Sequence, residues 1–570
     1  MKKILYCMLI GAAVLSALPS CATVKTPGDA PLTLVTVRQG KVQGTLENGL
    51  GTFKAIPFAE APVGDLRWKA PVPKKSWKGI YEATEFGGMP PQQAMQWPGA
   101  PEPKITEDCL YLNIQTPAVS AREKLPVLVW IHGGGFITGD ANNDGENFAK
   151  QGIVYVSLSY RTGALGFLSL PELSAENERG ISGNYGLLDM IEGLKWVKEN
   201  IAAFGGDPSK VTIMGESAGA IAVSMLCASP LAKGLFRGAI SESGGSFCPV
   251  DSVRFDNNGI RDVAGSEKFG MEFMKRIGAS SLAELREMSW EKWVADGPSI
   301  GVGGFWPCVD GYVLPDDQYK MYESGNYNDV NVLIGTNSDE GAMFCRPTHL
   351  AKYQADIRAE YGPFADRMLE LYPASSDAET HGALSDVFRE TAFAWPTWAW
   401  AVLQGKTGKG KVYLYYFDQF DPEHPMFGGP NAPKPRGANH ASEIQYVFAS
   451  PWGRPFQDGD KAVSDAMNRY WANFVKTGDP NGDGLDQWPV YKDGEKTVML
   501  FKNGTALIET PNKPQLDLME DYFSWKRNLS KKSLPPVRLS SQICLSLKKV
   551  DSQTRVNNVY LSNNTEGSVL

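Results

Sequence analysis

The stretch 211–227 constrains this chain more than any other. It opens with four apolar residues, VTIM, a run of strand length. Gly215-Glu216-Ser217-Ala218-Gly219 follows, and from 218 to 227 the spacing turns helical. A buried strand that runs directly into a helix belongs to a sheet whose faces are covered by helices. A serine between two glycines at that junction is lifted onto a sharp turn. The glycines leave room for backbone passing close on either side. The N-terminus of the helix behind favours negative charge developing at the serine. G-x-S-x-G alone is a common pattern. The strand before it and the helix after it give it chemical meaning, that of a nucleophilic serine.

The rest of the chain supplies a sheet for that turn. Short apolar runs at 125–131 (LPVLVWI), 152–159 (GIVYVSLS), 330–335 (VNVLIG) and 411–417 (KVYLYYF) read as strands, and 186–201 as a helix. Alternation of strands and helices predicts an α/β fold with a mostly parallel sheet flanked by helices. Residues 33–45 alternate around Gly40 like a hairpin. The stretches 246–329 and 342–410 are richer in helical pattern and read as insertions that cover the sheet edge and shape a pocket. No internal repeat is present. With 42% hydrophobic and 21% charged residues the main body is ordinary globular sequence. A net charge of −8 without a basic stripe excludes nucleic acid as a partner class.

A serine nucleophile needs a base, and the chain holds five histidines: His132, His349, His381, His424 and His440. His440 lies in a polar loop (GANHASE) beyond the 411–417 strand, where a sheet of this kind presents chemistry. His132 reads as shaping the loop it precedes, and the other three read as surface residues. The orienting acid falls between serine and histidine in chain order. Glu340 and its neighbour Asp339, in GTNSDEG after the 330–335 strand, both qualify. His132-Gly133-Gly134-Gly135-Phe136 follows the 125–131 strand. Three glycines in a row cost conformational entropy, and backbone N–H groups that must aim at a ligand oxygen need that freedom. Gly134, Gly135 and Ala218 are therefore the expected oxyanion donors, each contributing about 10²–10³ in rate.

These residues resemble the type-B carboxylesterase/lipase family, which includes cholinesterases and bacterial p-nitrobenzyl esterases. The resemblance runs from about residue 33 to 525. It rests on FKAIPFAEAPVGDLRW (53–68), EDCLYLNI (107–114), WIHGGGF (130–136), SYRTGALGF (159–167), GNYGLLDM (183–190), FGGDPSKVTIMGESAGA (204–220), PCVDG (307–311), NSDEG (337–341) and NHASEI (439–444). It implies one α/β-hydrolase domain, here 31–528, and cofactor-free ester hydrolysis of a small-molecule substrate in a deep pocket. It selects Glu340 over Asp339 as the acid and His440 as the base, and it makes Ser243, in SESGG, a supporting serine. Phe136, Gly303, Phe305 and Trp306 are the expected pocket residues, with Trp306 equally placed as core. The family's eukaryotic bridge to the cysteine matching Cys109 is missing, since no cysteine lies between 22 and 108. Met190 replaces a usual glutamine. Trp97 does not match the spacing of the cholinesterase choline-stacking tryptophan, so choline specificity is unsupported.

The ends read differently. Lys2 and Lys3 precede an apolar run from 4 to 18, too short for a spanning helix, and then Pro19-Ser20-Cys21. Residues 1–22 read as an export signal, either of lipoprotein type with Cys21 as the new terminus or cut after Ala22. The membrane enters only through such an anchor, and export permits disulfides among the remaining cysteines. Residues 529–570 read as a poorly ordered tail. Asp479 to Gly484 resembles the start of a calcium loop, but position twelve is Val490, so no metal is expected there. The run 393–400 (FAWPTWAW) reads as core or pocket edge. Two rivals to an esterase stand: a non-catalytic adhesion member, and an amide or thioester hydrolase with the same side chains.

Overall fold

The computed structural model describes residues 30–93, 102–250, 260–295, 304–423 and 435–533. The export signal with Cys21, Trp97, Gly303, His424, Cys544 and residues 534–570 lie outside the described residues. The sheet has 11 strands. In chain order they are β1 (Thr45–Glu47), β2 (Leu50–Pro57), β3 (Tyr111–Thr116), β4 (Leu125–Ile131), β5 (Val154–Leu158), β6 (Gly206–Glu216), β7 (Gly238–Glu242), β8 (Asn331–Asn337), β9 (Val412–Phe417), β10 (Val498–Phe501) and β11 (Thr505–Ile508). Across the sheet they run β11-β10-β9-β8-β7-β6-β4-β5-β3-β2-β1. The centre, from β10 to β5, is parallel, and both flanks are antiparallel. The N-terminal hairpin forms as Leu34–Val37 against Gly40–Gln43, in a separate sheet with Ile80–Glu82.

Both faces of the parallel centre are buried, which is why its strands read as continuous apolar runs rather than alternations. In β4, Val127, Val129 and Ile131 enter one core; Leu128 and Trp130 enter the other. The first core is closed by α1 (Tyr185–Asn200) and α2 (Ala218–Ala228). The insertion after β8 carries α3 (Thr380–Arg389) and α4 (Trp395–Thr407), joined through a π-helical turn at Glu390–Ala394. The second core is closed by α5 (Asp458–Thr477), whose Val463, Met467, Tyr470 and Trp471 pack under the sheet. The last helix, α6, runs Lys513–Ser533, so residues 529–533 are helical rather than the start of a tail. Leu516, Leu518, Met519, Tyr522 and Phe523, all buried, pack its first part into the core, and it carries on past the expected boundary. One compact unit reaches Arg527. Among the described residues no helix is long and apolar enough to cross a membrane.

The parallel register matters for the site. Glu216 at the end of β6 pairs with Glu242 at the end of β7, Glu242 with Gly335 in β8, and Gly335 with Tyr415 in β9. This row lies at the carboxyl edge of the sheet, where ligands of open α/β folds bind.

Candidate active site

Ser217 closes β6 and opens α2 with φ 55° and ψ −123°, a conformation L residues rarely adopt. Its own N–H donates to the main-chain oxygen of Glu242 at 2.9 Å, which ties the turn to the neighbouring strand. The flanking glycines are there for space. A Cβ on Gly219 would stand 2.1 Å from the Ile131 carbonyl oxygen, and one on Gly215 would stand 2.5 Å from the Gly219 carbonyl carbon. Gly133 rests on the same turn, and a Cβ there would come within 2.7 Å of Glu216 O. The glycine loop after β4 and the serine turn after β6 are thus one packed unit.

Within that loop Gly134 has φ 103° and Gly135 φ 61°. The Gly134 carbonyl is held from behind by the N–H groups of Ile137 at 3.1 Å and Thr138 at 3.0 Å. The N–H groups of Gly134 and Gly135 have no acceptor among the described hydrogen bonds. His132 is a buried strut, as its place in the sequence suggests. Its ring stacks on Tyr160 with centroids 4.3 Å apart, and Tyr160 Oη donates to the His132 carbonyl at 2.9 Å. Burial pulls the His132 imidazole below its ordinary pKa, so it stays neutral.

His440 stands on the loop after β9, with Nδ1 2.6 Å from Glu340 Oε2. The Glu340 carboxylate is fully buried, and its other oxygen accepts from Ser243 Oγ at 2.5 Å and from Asn337 N at 2.7 Å. Asp339, the rival acid, faces away and pairs with Arg436 at 3.0 Å. Its N–H donates to the Ala438 carbonyl at 2.9 Å, so Asp339 anchors the loop that carries the histidine. His440 Nε2 lies 3.2 Å from Glu216 Oε1. A bond from Ser217 Oγ to Nε2 is not among the described hydrogen bonds. His349 is exposed and pairs with Asp377, while His381 contacts the Ala342 carbonyl.

Aromatic rings fix the imidazole plane. Phe393 stacks on it at 4.5 Å and 23°, and Phe344 meets it at 5.1 Å and 64°. Phe393 comes from the π-helical turn before α4, so the 393–400 run divides, with Trp395 and Trp400 in the core and Phe393 at the site. Phe136 and Trp306 touch at 4.8 Å, whereas Phe305 packs against Phe269 and Phe273. All three are nearly fully buried. A cavity of about 550 Å³ opens beside the glycine loop and is lined by Trp130, Gly133, Gly134, Glu216, Phe448 and Trp452, without these three.

Beneath the site lies a group of residues to which the motifs gave no role. Glu216, Glu242 and Glu443 are buried beside Glu340. Trp471 Nε1 donates to Glu242 Oε1 at 2.6 Å, and Asn337 Nδ2 donates to Glu443 Oε2. Burial, and then the neighbouring carboxylates, push Glu216 and Glu443 well above the usual carboxylate range. Burial raises Glu242 to about 8.

The α/β-hydrolase fold, with a serine on its sharp strand-to-helix turn and a buried acid–histidine pair across the sheet edge, and the match to the carboxylesterase family together place the chain among the carboxylic ester hydrolases. The chain belongs to the carboxylesterase family, whose model matches residues 31–519. It is 34% identical over 496 residues to the para-nitrobenzyl esterase of Bacillus subtilis (strain 168), covering 84% of this chain and 96% of that one. It is 33% identical over 510 residues to the fumonisin B1 esterase of Sphingopyxis macrogoltabida, covering 85% and 90%. A solved PNB esterase structure aligns with TM-score 0.72 at 32% identity over 85% of this chain and 99% of that chain.

Proposed function

We infer that the protein hydrolyses small carboxylic esters through an acyl-enzyme on Ser217. The observation that carries this is the buried Glu340–His440 pair, 2.6 Å apart, set at the edge where the strained Ser217 turn and the glycine loop meet. His440 Nε2 takes the Ser217 proton as Oγ attacks the ester carbonyl. This needs the ring to leave Glu216 Oε1 for Ser217, a swing within the plane that Phe393 and Phe344 define. Glu340 holds the tautomer through Nδ1 and balances the imidazolium. The N–H groups of Gly134, Gly135 and Ala218 receive the oxyanion. The alcohol leaves with the proton from His440. Water, activated by the same nitrogen, then releases the acid and frees the serine. Ser243 supports the acid. Relatives named para-nitrobenzyl esterase and fumonisin B1 esterase support an ester as the substrate. The N-terminal pattern of two lysines, an apolar run and Cys21 supports export, with or without a lipid anchor.

The test is hydrolysis of p-nitrophenyl acetate and butyrate by the mature protein beside Ser217→Ala. Turnover in the wild type, and its loss by at least about 10³-fold in the folded variant, is the expected result. A folded wild type without turnover, or a variant that keeps it, overturns the reading.

A further inference from the structure

His440 is only 4% exposed, and aromatic rings pack around it. A charge formed in so dry a place is costly unless its surroundings stabilise it. The imidazole carries that charge each time it takes the serine proton. Phe393, itself buried, lies nearly parallel to it, with centroids 4.5 Å apart and planes at 23°. Phe344 stands at 64°, so its face does not run along the imidazole. The face of a benzene ring is negative, and a cation within about 6 Å of its centroid is attracted to it, most strongly where water is absent. Phe393 comes from the π-helical turn at Glu390–Ala394, and such turns cluster at functional sites. That turn is anchored on two sides. Arg389 Nη1 donates to the carbonyl of Ser338, just ahead of Glu340, at 2.9 Å. Arg389 also pairs with the fully buried Glu390 at 2.8 Å, and Asn512 Nδ2, ahead of α6, donates to Glu390 Oε1 at 3.0 Å.

We propose that Phe393 is a positioning residue that acts through charge: its face stabilises the His440 imidazolium relative to the neutral imidazole and so favours proton transfer from Ser217. This rests on the acyl-transfer reading above. The charged and titratable groups that face the imidazole are Glu340 after β8, 2.6 Å from Nδ1, and Glu216 from β6, 3.2 Å from Nε2. Glu242 from β7 and Glu443 from the histidine loop lie in the buried group beneath. Glu340 and Glu216 approach ring nitrogens at the edge, whereas Phe393 covers a face. When that face is weakened, two quantities move together. The acid limb of kcat/KM shifts to lower pH, because the histidine gives up its proton more readily. The plateau of kcat/KM falls by a matching factor, because the same imidazolium forms in the transition state. A ring that served only as a spacer would lower the plateau through misplacement and leave the acid limb where it was.

Fluorine withdraws negative charge from a ring face while nearly keeping its shape and burial. Mono-, di- and trifluorophenylalanine in place of Phe393 are therefore compared with wild type on p-nitrophenyl butyrate, across the pH range in which all stay folded. The acid limb is expected to move down stepwise, by about 0.4–0.7 unit in the trifluoro protein, with a matching fall of about 2–5-fold in the plateau. Phe393→Leu, which fills space without a π-face, is expected to shift both the same way. A second readout needs no turnover: the titration of His440 followed by NMR on isotope-labelled histidine, its signal assigned by loss in His440→Gln. An acid limb or a His440 titration that stays put across the fluorinated series, one that moves to higher pH, or a plateau that falls while the limb stands still each overturns the proposal. A wild type that hydrolyses no ester, while its His440 titration still moves down with fluorination, sinks the esterase reading and leaves the role of Phe393 standing.

Discussion

Replacing Ser243 by alanine removes one of three donors to the Glu340 carboxylate and almost nothing else. The remaining two are Asn337 N at 2.7 Å and His440 Nδ1 at 2.6 Å. Ser243 Oγ, at 2.5 Å, is the only hydroxyl among them. Because the carboxylate is fully buried, bulk water does not step in. A hydrogen bond to a charged group contributes about 1.5–3 kcal/mol. Were all of it expressed only in the transition state, kcat would drop by about 10–150-fold. The bond also exists in the resting enzyme, so part of the loss falls on stability, and the expected drop in kcat is nearer about 10-fold with KM little changed. The assay is steady-state hydrolysis of p-nitrophenyl butyrate at neutral pH, with kcat and KM resolved and a melting curve on each sample. A variant within about two-fold of wild type in kcat, or one that changes KM alone, would refute the idea that Ser243 works through Glu340.

Further outcomes follow from the same geometry. Gly219→Ala places a methyl 2.1 Å from the Ile131 carbonyl oxygen, which is backbone and cannot yield cheaply, so the variant should lose about 3 kcal/mol or more and express poorly; a soluble variant with a wild-type melting temperature would contradict this. Asp339→Asn loosens the Arg436 anchor of the histidine loop and should lower kcat by no more than about five-fold, whereas Glu340→Gln should cost about 10²-fold or more. Equal losses in the two variants, measured on one ester, would reopen the choice of acid.

Much of this site was legible because its parts must be written locally. A sharp turn needs small neighbours, so Gly215 and Gly219 mark Ser217, and the three glycines mark the loop at 133–135. The strands β4, β5, β6, β8 and β9 read clearly since both faces of a parallel sheet are apolar. Strand β7 did not. Gly238–Glu242 is short, starts with glycine and ends in serine and glutamate, and its strand character comes from its neighbours β6 and β8. Strand β3 was hidden in the same way inside a motif quoted for its resemblance. The role of Asp339 depends on Arg436, 97 residues away, and no local pattern states such a pairing. Phe393 was visible only as one aromatic among several, and it took the π-helical turn to show which of them meets His440. The buried carboxylates stood in plain view in GES, SES and ASE, yet it is strand register that brings Glu216 and Glu242 together.

The cysteines have a practical consequence. None of Cys109, Cys227, Cys248, Cys308 and Cys345 is disulfide-bonded, and the first four are buried. Burial pushes the Cys109 and Cys227 thiols up, Cys308 to about 12 and Cys345 to about 11. A thiol attacks as its thiolate, so Cys109, Cys227, Cys308 and Cys345 are poor targets for alkylating and disulfide reagents. These four should therefore add little background to a thiol-release assay. That makes thioester substrates, scored by a chromogenic disulfide at neutral pH, a direct way to separate oxygen esters from thioesters as the bond this esterase opens.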